Sequence, residues 1–365
     1  MSLLYSPVTL GPYTFKNRIA MSPMTRSRSV GNVPDDLVAE YYKQRAASAG
    51  LIITEGTSPS PDGLGYARIP GIFSAAQVAG WKKVADAVHG TGTKIFMQLM
   101  HTGRVGHPNN LPPGANVIGP SAVVAAGEMY TDQEGMKAQP TPKAMTEADI
   151  KTAIGEFEQA AKNAVAAGLE GVELHAANGY LLEQFIRPNS NIRTDAYGGS
   201  IENRARLMLE VAKVVTAEAG PERTGIRISP VTPANDASDS NPQPLFDYIV
   251  DHLNALKLTY IHVIEGATGG PRDIAPFDYA SLRKRFKGAY IANNGYDFDL
   301  ASKVLAANQA DLIAFGKPFI SNPDLVERLR RGAPLNEPDK ATFYGGGAKG
   351  YTDYPALGEA LDAAQ

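Results

Sequence analysis

The sequence predicts a single (β/α)8 barrel, also called a TIM barrel, that spans residues 1–365. Short apolar strands alternate with amphipathic helices eight times along the chain, and polar residues or glycines follow the strands. The segment of residues 101–146 follows the third strand, and it is too long and too rich in proline and glycine for a simple crossover. We expect this excursion to cover the barrel mouth.

The predicted strands are short apolar runs, and turn residues or polar residues bound most of them. They comprise residues 18–21, 51–54, 95–99, 172–175, 226–229, 260–264, 290–293 and 311–315. Eight alternations of strand and helix favour a closed parallel barrel. An open doubly wound sheet is the alternative, because periodicity alone does not show closure.

Two of the predicted helices carry clear terminal signals. Thr146 and Asp149 match the capping-box pattern, and the apolar periodicity that follows is predicted to stop at Gly168. A last helix is predicted to begin at Asn322, because Pro323 would then occupy the favoured first turn.

Composition and charge exclude several classes of function. The chain has 35 basic and 38 acidic residues, a net charge of −3 and no cysteine, so thiolate nucleophiles and cysteine-held metal sites are excluded. We expect no nucleic-acid partner, because no broad positive surface is available to bind phosphates. The sequence starts without a basic and apolar leader and contains no apolar run of about 18 residues. We therefore expect no membrane association and a cytoplasmic location.

The residues at the predicted strand ends are candidates for chemistry, since barrel enzymes react at the carboxyl ends of their strands. They are Pro23, Met24, Thr25, Glu55, Gly56, Gln98, His101, His175, Asn178, Tyr180, Arg227, Glu265, Asn293, Asn294, Gly295, Gly316 and Lys317. This set holds amides and cations but no nucleophile beside a base, so it favours a bound cofactor. Glycines and a lysine after the last two strands predict a phosphate site.

Several long motifs resemble those of the Old Yellow Enzyme family, and the resemblance covers nearly the whole chain. Residues 172–204 read VELHAANGYLLEQFIRPNSNIRTDAYGGSIENR, and the other matching motifs are MSPMTR, QLMHTGR, FGKPFISNPDL and YGGGAKGYTDYP. The resemblance implies a (β/α)8 barrel with noncovalent FMN. NADPH or NADH would reduce this FMN, and an activated alkene carrying a carbonyl or nitro group would reoxidise it.

The resemblance also implies roles for individual residues. His175 and Asn178, expected on one helical face, would hydrogen-bond the substrate carbonyl oxygen, and Tyr180 would protonate the α-carbon. Thr25 and Gln98 match positions that contact the flavin ring. The remaining implied cofactor-binding residues are Pro23, Met24, Gly56, Arg227, Asn294, Gly295, Gly316 and Lys317. Arg227 would lie beside the pyrimidine side of the ring, where reduced flavin gathers negative charge.

The implied substrate pocket contains Tyr66, Met100 and Tyr351, and the pair at residues 343–344 would pack near the flavin. Three positions depart from the family pattern. Lys317 stands where arginine is usual and Met100 where many relatives carry tryptophan, so a point charge replaces a planar phosphate contact and a flexible side chain replaces a rigid one. Gly56 stands where alanine is common, which we expect to matter little.

Other functions remain open at this stage. Nitrate esters or nitroaromatics are alternative substrates for the same site, and a flavin-binding sensor with little turnover is a second alternative. A metal-dependent barrel lyase or hydrolase would use Glu173, His175, His262 and Glu265. Taken singly, a buried histidine or arginine is more often a satisfied core residue than a functional one.

Overall fold

Eight parallel strands close into a barrel in the computed structural model, which describes residues 2–358. In chain order the strands are β1 (Ile19–Met21), β2 (Leu51–Ile53), β3 (Lys94–Leu99), β4 (Gly171–Ala176), β5 (Thr224–Ile228), β6 (Tyr260–Ile264), β7 (Ala289–Asn293) and β8 (Leu312–Phe315). Each strand pairs with its chain neighbours, and β8 pairs with β1 through the register Ala314 to Ala20. The closed barrel is confirmed, and the open sheet was wrong.

The helices form the outer layer of the barrel. They are α1 (Asp36–Ala46), α2 (Ala75–His89), α3 (Glu147–Ala166), α4 (Leu181–Ile186), α5 (Ile201–Ala219), α6 (Pro242–Ala255), α7 (Tyr279–Arg285), α8 (Phe298–Ala306), α9 (Lys317–Ser321) and α10 (Leu325–Arg331). The capping box that opens α3 is confirmed, since the Thr146 hydroxyl accepts from the Asp149 amide and the Asp149 carboxylate accepts from the Thr146 amide. None of the helices within residues 2–358 is long and apolar enough to cross a membrane.

The predicted start of the last helix was wrong. Asn322 ends α9, and Asp324 precedes α10 as its N-cap residue. Pro318, one residue into α9, occupies the first-turn position that we had assigned to Pro323. The pattern contained two proline candidates within six residues, and it did not show that two short helices share the segment.

Inward-facing positions change character along the barrel axis because strand side chains alternate between faces. Near the amino ends these positions are apolar and include Leu51, Phe96 and Ile291. A hairpin of Val8–Leu10 and Tyr13–Phe15 packs against them and covers that end. Toward the carboxyl ends the inward residues become polar, so the sequence pattern concentrates hydrogen-bonding groups at one end.

The excursion after β3 is built from short antiparallel and parallel pairs. A hairpin joins Glu128–Thr131 to Gly135–Ala138, and the two-residue strands Ile118–Gly119 and Lys143–Ala144 pair with each other. Met129, Tyr130 and Met136 of this hairpin line the large cavity at the carboxyl end of the barrel. The predicted cover over the barrel mouth is confirmed.

Candidate active site

A cavity of about 1080 Å³ opens at the carboxyl end of the barrel. Fifteen of the sixteen predicted site residues line it: Pro23, Met24, Thr25, Gly56, Tyr66, Gln98, Met100, His175, Asn178, Tyr180, Arg227, Asn294, Gly295, Gly316 and Lys317. They come from loops after six strands and from β3, β4 and β5 themselves. Parallel strands deliver these distant segments to one end, which explains why residues far apart in sequence share one cavity.

Tyr351 is the exception, and its placement at the substrate mouth was wrong. Its side chain is fully buried, away from the cavity lining, and its ring stacks on Tyr41 with centroids 4.0 Å apart. Tyr344 lines the cavity instead and is 68% exposed. The neighbouring Phe343 is not among the lining residues. The motif marked the correct segment, but the side chains that reach the cavity depend on how that segment packs.

Arg227 places a buried cation on the cavity floor. Its Nη2 donates to Asn293 Oδ1 at 2.7 Å, whereas Nε is buried and has no partner in residues 2–358. Burial lowers the pKa of Arg227 to about 10, so the guanidinium remains charged at neutral pH. A buried donor without a partner is costly, which indicates that a bound group accepts from it.

A polar cluster lies beneath the cavity and links three strands. Glu173 accepts from Gln98 Nε2 at 2.8 Å and contacts His262 Nδ1 at 2.9 Å. Burial favours the neutral acid, but the charge and hydrogen bond of His262 hold the pKa of Glu173 below its ordinary value. Since the Gln98 nitrogen is engaged by Glu173, the cluster fixes the orientation of the Gln98 amide.

The proposed ligands of the metal alternative do not converge. Glu173 and His262 pair with each other, while the Glu265 carboxylate accepts from the hydroxyls of Tyr290 at 3.0 Å and Tyr296 at 2.7 Å. Among residues 2–358, no group of three or more histidine, aspartate or glutamate side chains is arranged to hold a metal ion.

The backbone after β7 and β8 surrounds the predicted phosphate site. Asn294 and Gly295 both adopt positive φ, 93° and 66°, which lets the chain turn sharply as it leaves β7. Gly316 caps α9 and Lys317 is its first residue. The Lys317 ammonium is exposed at the cavity and forms no ion pair with the part of the chain that the structure describes.

His175, Asn178 and Tyr180 follow one another at the end of β4, but the helical face expected to hold both His175 and Asn178 was wrong. His175 lies in β4, Asn178 adopts φ of 58° in a turn, and Tyr180 caps α4. The Gly179 amide of this turn donates to the Glu183 carboxylate at 2.6 Å, and the Asn178 amide donates to Ser229 Oγ at 2.9 Å. A tight left-handed turn therefore brings the three side chains to the cavity.

Burial sets the protonation of two of these groups. It lowers the pKa of His175 well below 6.5, and the charges of Arg227 and His262 act in the same direction. Burial raises the pKa of Tyr180 well above 10, and Tyr66 adds to the shift. The hydroxyls of Tyr66 and Tyr180 lie 3.0 Å apart. At neutral pH the imidazole and the phenol are both neutral hydrogen-bond donors.

Two departures from the family pattern are coupled in this chain. A Cβ at Gly56 would overlap the Sδ and Cε atoms of Met100. Met100 therefore uses the space that a side chain at residue 56 would fill, and the glycine matters more than we expected. The flexible thioether and the missing methyl group together shape this wall of the cavity.

Several lining residues were not predicted from the sequence. They include Ser22, Arg68, Met129, Tyr130, Met136, Thr268 and Tyr296. Ser22 follows β1 directly and accepts from Asn293 Nδ2 at 3.0 Å, so the rule about strand ends would have identified it. The hairpin residues carried no such signal, because their side chains reach the cavity only through tertiary packing.

The model of the NADH:flavin oxidoreductase / NADH oxidase family matches residues 3–336. The chain belongs to this family. 12-Oxophytodienoate reductase 1 of Oryza sativa subsp. japonica is 41% identical over 361 residues, which cover 98% of this chain and 93% of that protein. Morphinone reductase has a TM-score of 0.94 at 44% identity, covering 98% of this chain and 97% of that chain.

Two further solved structures extend the family likeness. The Old Yellow Enzyme homologue from Zymomonas mobilis has a TM-score of 0.93 at 42% identity, covering 97% of this chain and 99% of that chain. A complex of morphinone reductase with tetrahydroNAD has a TM-score of 0.92 at 45% identity and covers 97% of both chains. The chain is therefore an Old Yellow Enzyme-type oxidoreductase that uses FMN and a nicotinamide reductant to reduce activated C=C bonds.

The cavity fits this cofactor on its own chemistry. Arg227 Nε supplies a buried cationic donor without a partner in residues 2–358, and the positive-φ turn at Asn294 and Gly295 lines the same cavity as the exposed Lys317. A flavin mononucleotide has acceptor atoms on its ring, which match Arg227 Nε. It also has a phosphate on its chain, which matches the turn and the Lys317 ammonium.

Proposed function

We propose that His175, Asn178 and Tyr180 carry the alkene-reducing step, with distinct roles for each side chain. His175 and Asn178 donate hydrogen bonds to the carbonyl or nitro oxygen of the substrate, and Tyr180 protonates the α-carbon. FMN, when bound, supplies the hydride for the β-carbon. As the hydride arrives, negative charge moves onto the substrate oxygen, and donors aimed at that oxygen stabilise the transition state more than the ground state.

The observation that carries this proposal is that His175 lines the cavity and its buried Nδ1 has no hydrogen-bond partner within residues 2–358. A buried imidazole normally finds a partner. The side-chain nitrogen of Asn178 likewise donates to no described protein atom, although the Asn178 backbone is held on both sides by Ser229 and Asn235. Both side chains line the same cavity and lie three residues apart in the chain, which suits recognition of one oxygen.

Tyr180 suits the proton-donor role because its phenol stays protonated, and the Tyr66 hydroxyl lies 3.0 Å away. When Tyr180 gives up its proton, a hydrogen bond from Tyr66 stabilises the phenolate that remains.

For cofactor binding, we propose that Arg227 and Gln98 contact the flavin ring together with Pro23, Met24, Thr25 and Gly56. Asn294, Gly295, Gly316 and Lys317 contact the phosphate chain. Tyr66 and Met100 line the space left for the substrate. The names of two relatives, 12-oxophytodienoate reductase and morphinone reductase, denote ketone substrates.

The experiment that tests these roles separates the two half-reactions in an anaerobic stopped-flow spectrometer. NADH or NADPH is added first and 2-cyclohexenone second, for wild type and for the double variant His175→Ala, Asn178→Ala. We expect the variant to keep its FMN but to be reoxidised about 10³-fold more slowly by cyclohexenone, since each lost oxyanion donor costs about 10²–10³ in rate and such effects are not additive.

Reoxidation by dioxygen is the matched control, because that reaction presents no carbonyl oxygen to the two donors. It should proceed at a similar rate in both proteins. Reoxidation by cyclohexenone at the wild-type rate in the double variant would overturn the proposed roles of His175 and Asn178.

A further inference from the structure

In the side-chain amide of Asn178, the oxygen accepts a hydrogen bond from the protein and the nitrogen donates none to the residues that the structure describes. Its Oδ1 accepts from the Thr268 hydroxyl at 2.6 Å, whereas its Nδ2 donates to no protein atom within residues 2–358. The two ends of a primary amide act oppositely toward an oxygen atom, because the NH2 group attracts it and the carbonyl repels it. The orientation of this amide therefore decides whether Asn178 stabilises or destabilises charge on a substrate oxygen.

Thr268 contacts Asn178 from the loop after β6, and a second threonine, Thr232, fixes the position of Thr268. It follows β6, 90 residues along the chain from Asn178, and lines the same cavity. Its backbone amide donates to Thr232 Oγ1 at 3.2 Å, and the Thr232 hydroxyl in turn donates to the Gly266 carbonyl at 2.5 Å. The loops after β5 and β6 are thereby joined, and the Thr268 hydroxyl has a defined position.

We propose that Thr268 is a positioning residue that keeps the NH2 group of Asn178 directed at the substrate oxygen by donating to Asn178 Oδ1. This inference rests on the proposed role of Asn178 as a donor. The hydrogen bond from Thr268 restricts rotation of the amide. It also polarises the amide, which strengthens its N–H groups as donors. Without it, the amide carbonyl is free to turn toward the substrate oxygen.

The test compares Thr268→Val with Thr268→Ser, since valine keeps the shape and removes the hydroxyl, whereas serine keeps the hydroxyl. The matched control is Thr259→Val, just before β6 at the opposite end of the barrel, where the hydroxyl donates to the Pro221 carbonyl. Two quantities are measured on the FMN-loaded proteins. They are the limiting rate of anaerobic reoxidation by 2-cyclohexenone and the dissociation constant of 4-chlorophenol, whose phenolate oxygen resembles an enolate oxygen.

We expect Thr268→Val to lower the limiting rate and to weaken phenolate binding, each about three- to tenfold, the range of one net hydrogen bond. Thr268→Ser and Thr259→Val should match wild type in both measurements. In an Asn178→Ala background the change at Thr268 should have no further effect, because the amide that it positions is absent.

Three results would overturn the inference, and they differ from one another. If Asn178→Ala is slow but Thr268→Val matches wild type, the amide needs no help from Thr268, and the proposed function stands. If Asn178→Ala itself matches wild type, the donor role of Asn178 fails and the inference fails with it. If Thr268→Val is equally slow with and without Asn178, Thr268 acts on the reaction by another route.

Discussion

Two buried arginines of this barrel differ in how much of their hydrogen-bonding capacity the protein uses. Arg45 in α1 donates to the backbone carbonyls of Phe319, Ile320 and Tyr351 as well as to its own helix. Arg227 in β5 makes one hydrogen bond, to Asn293, and its Nε has no partner among the described residues. Both are at most 5% exposed. Burial alone therefore does not identify a functional arginine; Arg227 is distinguished by an unused buried donor in a side chain that also lines the cavity.

Arg45 belongs to a layered group that we call the arginine–tyrosine stack: Arg45, Tyr41, Tyr351 and Arg28. The Arg45 guanidinium lies 3.7 Å from the Tyr41 ring centroid, Tyr41 stacks on Tyr351, and Arg28 lies 4.3 Å above Tyr351. This stack joins α1 to the segment that carries Tyr344. None of its four residues lines the cavity.

The largest expected effect is on stability, when Arg45 is replaced by methionine. The variant loses four donations to backbone carbonyls and a cation–π contact, so the carbonyls of Phe319, Ile320 and Tyr351 lose a donor from outside their own segments. We expect the free energy of unfolding to fall by about 3–5 kcal/mol. Denaturant unfolding of the FMN-loaded protein, followed by circular dichroism, measures the change. Unchanged stability would show that the stack contributes little and that the hydrogen bonds of Arg45 do not give it a structural role.

Arg227→Met should show the opposite balance between stability and activity. The variant loses one protein hydrogen bond and a buried donor without a partner, so we expect a smaller loss of stability than for Arg45→Met. Flavin reduction by NADH should slow about 10²-fold, because the variant lacks the cation that we propose stabilises the reduced ring. Arg227→Lys retains the charge and is the control. If the methionine variant reduces its flavin at the wild-type rate, Arg227 is a packing residue like Arg45.

Tyr180→Phe should also lower activity without lowering stability, because its hydroxyl has a proposed role only in the reaction. We expect reoxidation by 2-cyclohexenone to slow by about 10²-fold, the lower range for loss of a general acid, with little change in unfolding. Tyr66→Phe is the comparison variant, since it removes only the neighbouring hydroxyl and should have a smaller effect. Equal rates in wild type and Tyr180→Phe would mean that water supplies the proton.

The sequence predicted the strands well because their signal is local. Short apolar runs identified all eight strands, and β6 was predicted with its observed bounds, residues 260–264. Barrel enzymes have their active sites at the carboxyl ends of the strands, and this rule correctly placed residues such as Arg227 and Lys317 at the cavity. Backbone periodicity and one topological rule therefore sufficed for the overall architecture and for the position of the site.

The errors arose where side-chain direction depends on distant segments. Tyr351 shares a motif with Tyr344, but packing against Tyr41 takes its ring into the core. The turn at Asn178 was mistaken for part of a helix, because Ser229, which accepts from the Asn178 amide, lies 51 residues along the chain. Thr268 was missed because its partner lies 90 residues away.

The smallest expected effect is the pH dependence of the reaction with cyclohexenone. His175 has its pKa lowered well below 6.5, so it gains a charge only at acidic pH, and Tyr180 has its pKa raised well above 10, so it loses its proton only in strong base. Neither group changes its charge between about pH 7 and 9. The limiting rate of anaerobic reoxidation should therefore be flat across this range.

Glu55 provides the control for that measurement, because burial raises its pKa to about 7 and it titrates near this range. Its carboxylate accepts from the Arg26 amide at 3.2 Å and lies outside the cavity lining, although the next residue, Gly56, belongs to it. If the limiting rate changes with pH in wild type but not in Glu55→Gln, the change originates from the Glu55 carboxyl. His175 and Tyr180 would then still be neutral donors. A pH-dependent limb between about pH 7 and 8 that persists in Glu55→Gln would mean that His175 or Tyr180 titrates during turnover, contrary to the effect of burial on both groups. A limb confined to the region near pH 9 would instead be assigned to Arg227, whose pKa is lowered to about 10.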